Sequence, residues 1–334
     1  MKVSKKTGIT LFVTAAVIMA VLIVFHKNPG PAADPGQELA KKIISCVVIA
    51  AACVAFIHWY DKFTGLPVEL FQNRHLIWKL AKNDFKKRYA GSYLGAVWAM
   101  AQPVVTVAMY YIVFDKIMGN TSTPLREGVE VPFVLFLTAG LVPWFYFSEA
   151  LNNGTNALLE YNYLVKKVVF NISVLPVVKI ISAMFVHAFF VLFTIILYAA
   201  YGKLPDLYYL QIIYYSVCVF ILVLGLSYAT SAIVIFFRDL TQIINIVLQV
   251  GVWLTPIMWI VEASPLMGHP VIMKILKLNP MYYIVSGYRD TFLMKTWFWE
   301  HAGWTVYFWI FTILCFLFGS WVFKRLRIHF ADVL

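Results

Sequence analysis

A run of basic side chains between Phe71 and Tyr89 is the first feature of the sequence that could bind a ligand. The apolar residues Ile77, Ala81 and Phe85 recur every four positions, so they would share one face of a helix. An amphipathic basic helix is suited to anionic lipid headgroups, and its aromatic side chains favour this reading over a solvated linker helix, the alternative. The residues predicted to meet the lipid head are Lys82, Lys86, Lys87 and Arg88.

Two polar sites could receive another protein. The segment Asn152–Asn171 carries a predicted short helix, Thr155–Val165, and the turn around Arg238-Asp239 places a charge pair at a helix-to-helix corner. Each alone is typical of a solvated loop, but both fall on one predicted side of the membrane, which favours a partner surface. The predicted contact residues are Asn156, Glu160, Asn162, Lys166, Arg238 and Asp239.

Motifs for nucleotide binding or hydrolysis are missing from the sequence. It contains no Gly-x-x-x-x-Gly-Lys-Ser/Thr loop, no His-Glu-x-x-His helix and no Gly-x-Ser-x-Gly elbow. The four cysteines sit in apolar runs without Cys-x-x-Cys spacing, so we predict no metal site. Any ATP and Mg²⁺ would therefore bind a separate polypeptide, although an embedded enzyme with groups converging from distant helices stays open.

The bilayer is the solvent that the composition indicates. Of 334 residues, 62% are hydrophobic and 13% charged, against about 25% charged in soluble domains. A spanning helix needs about 20 apolar residues. The predicted spans are Ile9–Phe25, Ile43–Tyr60, Tyr93–Ile117, Pro132–Leu151, Val174–Tyr201, Leu207–Phe237, Thr241–Val261 and Ala302–Phe323. We therefore predict an all-α polytopic membrane protein.

Lys and Arg in the short loops set the predicted orientation, with both termini in the cytoplasm. The formal net charge of +11 fits such loops better than nucleic-acid binding. Charges within the spans are few, and the candidates for a role are Glu149, Lys179 and His187. Glu149 and Lys179 lie near cytoplasmic ends, where side chains can snorkel to water. His187 at mid-span is either a proton relay or, as we favour, a neutral histidine bonded across helices.

Three regions follow from these patterns. Residues 1–66 form a transmembrane hairpin that stays in the membrane, since no convincing signal-peptide cleavage site follows its first apolar run. Residues 67–92 form the interfacial helix, and residues 93–334 form a six-helix core. Near residues 262–300, prolines and glycines cut an apolar stretch into pieces too short to cross, which predicts re-entrant helices from the outside; helices lying on the outer surface are the alternative.

A series of short motifs resembles the permease (transmembrane) subunits of ABC-type polysaccharide and polyol-phosphate exporters. They occur in that family's order over about Phe71–Leu334. The motifs are Lys86 to Gly95, Trp98, Gln102-Pro103, Val131-Pro132-Phe133, Ala139 to Phe145, Lys166-Lys167, Leu175-Pro176, Arg238-Asp239-Leu240, Thr255-Pro256-Ile257 and Leu278-Asn279-Pro280.

The resemblance implies a homodimer of six-helix cores in a bacterial inner membrane, each docked on one separate nucleotide-binding ATPase subunit. The basic helix would be the family's gate helix, and Asn152–Asn171 its coupling segment. The implied substrate is undecaprenyl-diphosphate-linked O-antigen, teichoic acid or capsular polysaccharide, moved from the cytoplasmic to the outer face. The N-terminal hairpin departs from the common core of that family.

Aromatic residues make up 17% of the chain and could line a conduit for sugar rings, although membrane-interface belts also collect them. The predicted lining residues are Trp98, Tyr110, Tyr111, Trp144, Phe145 and Tyr146. Two other functions stay open. One is an ABC permease for small molecules, and the other is a membrane-embedded glycosyltransferase.

Overall fold

A computed structural model describes residues 5–25, 35–58, 60–93, 95, 97–119, 122–124, 130–166, 170–260 and 270–333. The chain divides into two compact units, Met1–Gln72 and Asn73–Leu334. The described residues are nearly all helical, which confirms the predicted all-α polytopic fold. The boundary after Gln72 lies close to the predicted end of the hairpin region at residue 66.

The first unit contains three helices, α1 (Lys5–Phe25), α2 (Pro35–His58) and α3 (Tyr60–Gln72). Helices α1 and α2 pack against each other, and the Lys42 ammonium donates to the Val24 carbonyl at 3.1 Å. The predicted span Ile9–Phe25 falls within α1, and the predicted span Ile43–Tyr60 begins within α2 and runs beyond its end at His58. Residues 26–34 between α1 and α2 lie outside the described residues.

The second unit begins with α4 and holds the remaining helices. These are α4 (Arg74–Arg88), α5 (Val97–Tyr110), α6 (Phe133–Glu160), α7 (Asn162–Val165), α8 (Val174–Ala200), α9 (Gln211–Val234), α10 (Leu240–Leu254), α11 (Pro270–Lys277), α12 (Pro280–Arg289), α13 (Ala302–Leu326) and α14 (Phe330–Val333). Short π-helical turns, Tyr111–Ile117 and Asp290–Met294, extend α5 and α12, and 3-10 turns, Leu207–Leu210 and Arg327–His329, precede α9 and follow α13. Strands β1 (Ser122–Pro124) and β2 (Glu130–Pro132) pair antiparallel before α6.

Helix α6 is the centre of this unit. It is buried on most sides and packs against α8, α9 and α12, while α13 packs against α9. A helix that is apolar all round must be enclosed by others. Buried tyrosines join the ends of neighbouring helices: the Tyr198 hydroxyl donates to the Leu135 carbonyl at 2.8 Å, and that of Tyr228 donates to Ser173 at 2.9 Å.

Six helices in the described part of the chain are long and apolar enough to cross a bilayer. They are Lys6–Phe25, Val97–Ile117, Phe133–Glu160, Val174–Ala200, Leu207–Val234 and Ala302–His329. Each coincides with a predicted span. The predicted span Thr241–Val261 instead contains α10, whose 15 residues reach only about 22 Å; residues 261–269 lie outside the described residues.

Helix α6 continues beyond the predicted end of a span at Leu151, to Glu160. Asn156 donates from its amide to the Asn152 carbonyl at 3.0 Å, and the Thr155 hydroxyl lies 2.8 Å from that of Thr230 in α9. These contacts hold the polar stretch in the helix. The predicted short helix Thr155–Val165 is thus the last turns of α6 followed, after Tyr161, by α7.

Two short helices occupy the region predicted to be re-entrant. Helix α12 is largely buried, whereas α11 is mostly exposed. The Asn279 side chain accepts from the Met281 amide at 3.0 Å, so it caps α12, and donates to Thr255 at 2.8 Å. The Arg289 guanidinium donates to the Ile257 carbonyl at 2.7 Å. Two motifs that are distant in sequence therefore meet beside the end of α10; their depth in the membrane stays a prediction.

Candidate functional site

Helix α4 has one face built for burial and another that stays in solvent. Ile77 and Ala81 are buried as their spacing predicts, and Asp84 is buried with them. Phe85 packs on Phe185 of α8 with ring centroids 5.5 Å apart. The predicted headgroup contacts Lys82, Lys86 and Lys87 are exposed, with the Lys82 ammonium 5.2 Å from the Trp78 ring.

Asp84 is held by groups from α8 and from the turn between α6 and α7. The Lys179 ammonium in α8 donates to Asp84 Oδ1 at 2.7 Å, and the Tyr161 hydroxyl donates to the same oxygen at 2.7 Å. Lys179 also donates to Glu160, the last residue of α6. Asp84 and Lys179 are 6% and 5% exposed, so water contributes little to their solvation.

Arg88 makes a second link between α4 and α6. Its guanidinium donates to Glu149 Oε1 and lies 3.8 Å from Asp84 Oδ2. Together with the contacts of Lys179, this gives a cluster of three carboxylates and two cations, which we call the α4 junction: Asp84, Arg88, Glu149, Glu160, Tyr161 and Lys179. Of the predicted headgroup contacts, Arg88 is thus engaged in ion pairs within the described residues, and its headgroup role stays a prediction.

The charge state of the junction follows from its hydrogen bonds. Burial alone would raise the pKa of Asp84, but the bonds from Lys179 and Tyr161 outweigh it and hold the pKa below the ordinary value of 3.8. Burial and the bond to Asp84 raise the pKa of the Tyr161 hydroxyl, which stays protonated. The depressed pKa means that Asp84 stabilises the fold above pH 3.8 and loses this contribution only as the pH falls further.

The expectation that Lys179 snorkels to water is wrong, because its buried ammonium is bonded to Asp84. Glu149 pairs with Arg88. The sequence does carry a signal for the junction: Ile77, Ala81, Asp84 and Arg88 have the spacing of one helix face. An acid on an apolar face and a lysine in an apolar span each need a partner, but the sequence does not say that they need each other.

The structure brings some predicted coupling residues together. The Thr241 hydroxyl at the start of α10 donates to the Asn156 side chain of α6 at 3.0 Å. Arg238 and Asp239 form the exposed turn just before α10, so Asn156 lies next to that corner. Glu160 belongs to the α4 junction. Asn162 and Lys166 are exposed on and after α7.

The predicted channel-lining residues lie in different environments. Trp144 and Tyr146 are buried, at 6% and 2% exposure, whereas Trp98 is 53% exposed. Phe145 packs on Phe190 with ring centroids 5.4 Å apart. Tyr110 and Tyr111 are half-buried. Buried rings would need a rearrangement to meet a polymer, and the lining role of all six stays a prediction.

His187 is bonded across helices, as favoured above. Its Nε2 lies 3.0 Å from the Ser216 hydroxyl of α9 and 3.1 Å from that of Tyr288 in α12. The ring stacks on Tyr146 with centroids 4.5 Å apart. The histidine thus joins α6, α8, α9 and α12. Among the described residues, no group of three or more His, Cys, Asp or Glu side chains could hold a metal ion.

Comparison with known proteins identifies the family. A family model described as ABC-2 type transporter matches residues 75–293, from the start of α4 to the turn after α12. This chain belongs to the ABC-2 type transporter family. It is therefore a multi-pass membrane protein, and the α4 junction lies wholly within the matched region.

Two relatives extend the match. The chain is 29% identical over 228 residues to the O-antigen export system permease protein RfbA of Myxococcus xanthus, covering 67% of this chain and 82% of the relative. It is 26% identical over 257 residues to a protein of the same name from Klebsiella pneumoniae, covering 76% of this chain and 93% of the relative.

Proposed function

We propose that this chain is the permease subunit of an ATP-driven exporter that moves undecaprenyl-diphosphate-linked polysaccharide or teichoic acid from the cytoplasmic to the outer face. The observation that carries the proposal is the similarity to O-antigen export permeases over 93% of the length of one of them. The ABC-2 match over residues 75–293 supports it. The chain itself is a transport subunit, not an enzyme.

The proposed assembly contains two copies of this chain and two copies of a separate nucleotide-binding subunit, which holds ATP and Mg²⁺. It sits in a bacterial inner membrane with both termini in the cytoplasm. The exposed lysines of α4 attract the anionic diphosphate head. The corner Arg238-Asp239, with Asn156 beside it, contacts the ATPase subunit and takes up its conformational change.

Co-purification of the tagged chain with a candidate nucleotide-binding subunit tests the proposal. A stable two-plus-two complex is expected, and lipid-linked glycan should stimulate its ATP hydrolysis in lipid. Stimulation by small molecules alone would instead favour a small-molecule permease. A chain that transfers sugar without any ATPase would be a glycosyltransferase. Either result would overturn the proposal.

Changing Lys82, Lys86 and Lys87 together to Gln should weaken the response to lipid-linked glycan. Each cation near an anionic surface contributes to attraction, so the glycan concentration for half-maximal ATPase stimulation should rise by at least about tenfold. The measurement is a titration of the complex in neutral-lipid nanodiscs at low salt, where screening is weak. Lys274→Gln on exposed α11 is the control, and an unchanged titration of the triple variant would refute the headgroup role.

A further inference from the structure

The α4 junction connects the interfacial helix α4 to the coupling segment at the end of α6, two elements that the proposed function treats separately. Asp84 belongs to the interfacial helix α4, and Glu160 ends α6 where the coupling segment begins. Lys179 of α8 bonds both carboxylates. Its ammonium also lies 5.1 Å from the ring centroid of Tyr161, whose hydroxyl bonds Asp84. One buried cation therefore fastens α4 to the end of α6.

A gain in folding stability does not by itself explain why these charged side chains are buried together. A buried ion pair is often no more stabilising than apolar side chains of similar volume, and α4 already packs on α8 through Phe85 and Trp78 against Phe185. The charged groups do fix the distance and the orientation between the helices that carry them. An ammonium bonded to two carboxylates fixes where α4 lies relative to the end of α6 more tightly than apolar contacts can.

Asp84 also has a second cation within reach. Its Oδ2 is buried and accepts no hydrogen bond from the described residues, while the Arg88 guanidinium lies 3.8 Å away and is bonded to Glu149. Two cations thus share three carboxylates. The Arg88–Glu149 bond therefore ties α4 to α6 a second time.

We propose that Lys179 is a positioning residue for transport, which makes the interfacial helix α4 follow the coupling end of α6. A displacement of the coupling segment pulls on Glu160 and Tyr161, and through Lys179 and Asp84 it moves α4. This inference rests on the proposed function for its role in export. The mechanical link itself does not depend on which substrate is carried.

A pair of variants separates this role from a structural one. Lys179→Met alone leaves Asp84 buried without its ammonium and should impair folding. Adding Asp84→Leu removes the stranded charge, while Glu160, whose side chain is 51% exposed, can be solvated by water. The double variant should therefore melt close to wild type, bind the ATPase subunit and hydrolyse ATP at the basal rate, yet export glycan at least tenfold more slowly. Lys179→Arg, which keeps the cation, should retain more export than the double variant.

A reporter on α4 measures the link directly. Asn83 is exposed on α4, so Asn83→Cys can be introduced after the four native cysteines are changed to Ala. In the purified complex, ATP with Mg²⁺ should change its rate of maleimide labelling at least threefold, and in the Lys179→Met/Asp84→Leu background this change should vanish.

The outcomes distinguish the two claims. A nucleotide response that persists in the double variant, or none in the wild-type background, would overturn the role of Lys179. A double variant that exports normally would do the same. A response that depends on Lys179 in a complex that exports no glycan would keep the link and reject the proposed function.

Discussion

Export should stop when Arg238→Gln and Asp239→Asn are combined, while the chain still folds and enters the membrane. Both side chains are exposed, and the Asp239 side chain does not cap α10. The turn is held by its backbone, in which the Gln242 amide donates to the Asp239 carbonyl at 2.9 Å. Exposed substitutions of this kind usually change stability by less than about 0.5 kcal/mol.

The large loss of export would come from lost contacts with the proposed ATPase subunit. The corner adjoins Asn156 through Thr241, so both sit on one surface. We expect Arg238 and Asp239 each to meet an opposite charge of the ATPase subunit. Removing one member of such a buried pair leaves its partner unpaired at a cost of about 2–5 kcal/mol, so losing Arg238 and Asp239 together should reduce coupled export by more than about 100-fold. Surface labelling of exported glycan on whole cells measures the rate, and co-purification of the ATPase reports assembly.

The matched control removes one acid and one base elsewhere. Glu130 and Lys274 are exposed and lie on the predicted outer side, so Glu130→Gln with Lys274→Gln should leave export unchanged. Wild-type export by the Arg238/Asp239 variant would show that the corner does not take up the conformational change of the ATPase subunit. Loss of export in both variants would point to a general effect of charge.

Local patterns were enough to predict several elements. The four-residue spacing of Ile77 and Ala81 located α4, and both are buried there. The motif Leu278-Asn279-Pro280, identified above only by its resemblance to a family, begins α12: Asn279 caps the helix, since Asn accepts from backbone amides and Pro suits the first turn. The six long spans followed from length and apolarity alone. These features are decided by residues close to one another in the chain.

The predictions that fail are those that depend on contacts between residues far apart in the sequence. Asn152, Asn153 and Gly154 look like the start of a loop, yet α6 runs through them because α9 packs against it there. A Cβ on Gly154 would collide with the Ser227 side chain, so the glycine provides room for α9. Lys179 pairs with Asp84, which lies 95 positions away in the sequence. Neither partner could be assigned to the other without the packing of α4 on α8.

The other large expected effect concerns the packing of α13 on α9. The substitution Gly319→Val should prevent stable folding. A Cβ at Gly319 would overlap the Gly225 carbonyl oxygen and approach the Ala229 amide nitrogen at 3.3 Å. A Cβ at Gly225 would likewise lie 2.7 Å from the Phe316 amide nitrogen. The two helix backbones therefore touch directly, as small residues permit inside membranes, where apolar side chains gain little by leaving lipid.

The obstacle to a larger side chain at Gly319 is backbone, which cannot rotate away as a side chain would. Overpacking costs about 1–3 kcal/mol where neighbours can adjust, so we expect at least the upper end of that range and little folded protein in detergent. Gly303→Ala is the control in the same helix, because nothing lies within 4 Å of its added Cβ and Ala favours helix over Gly. Thermal unfolding followed by tryptophan fluorescence should place Gly303→Ala at or above wild type. A Gly319→Val protein that melts with wild type would mean that α9 and α13 can separate without cost, so that the close contact is not what holds α13 in the core.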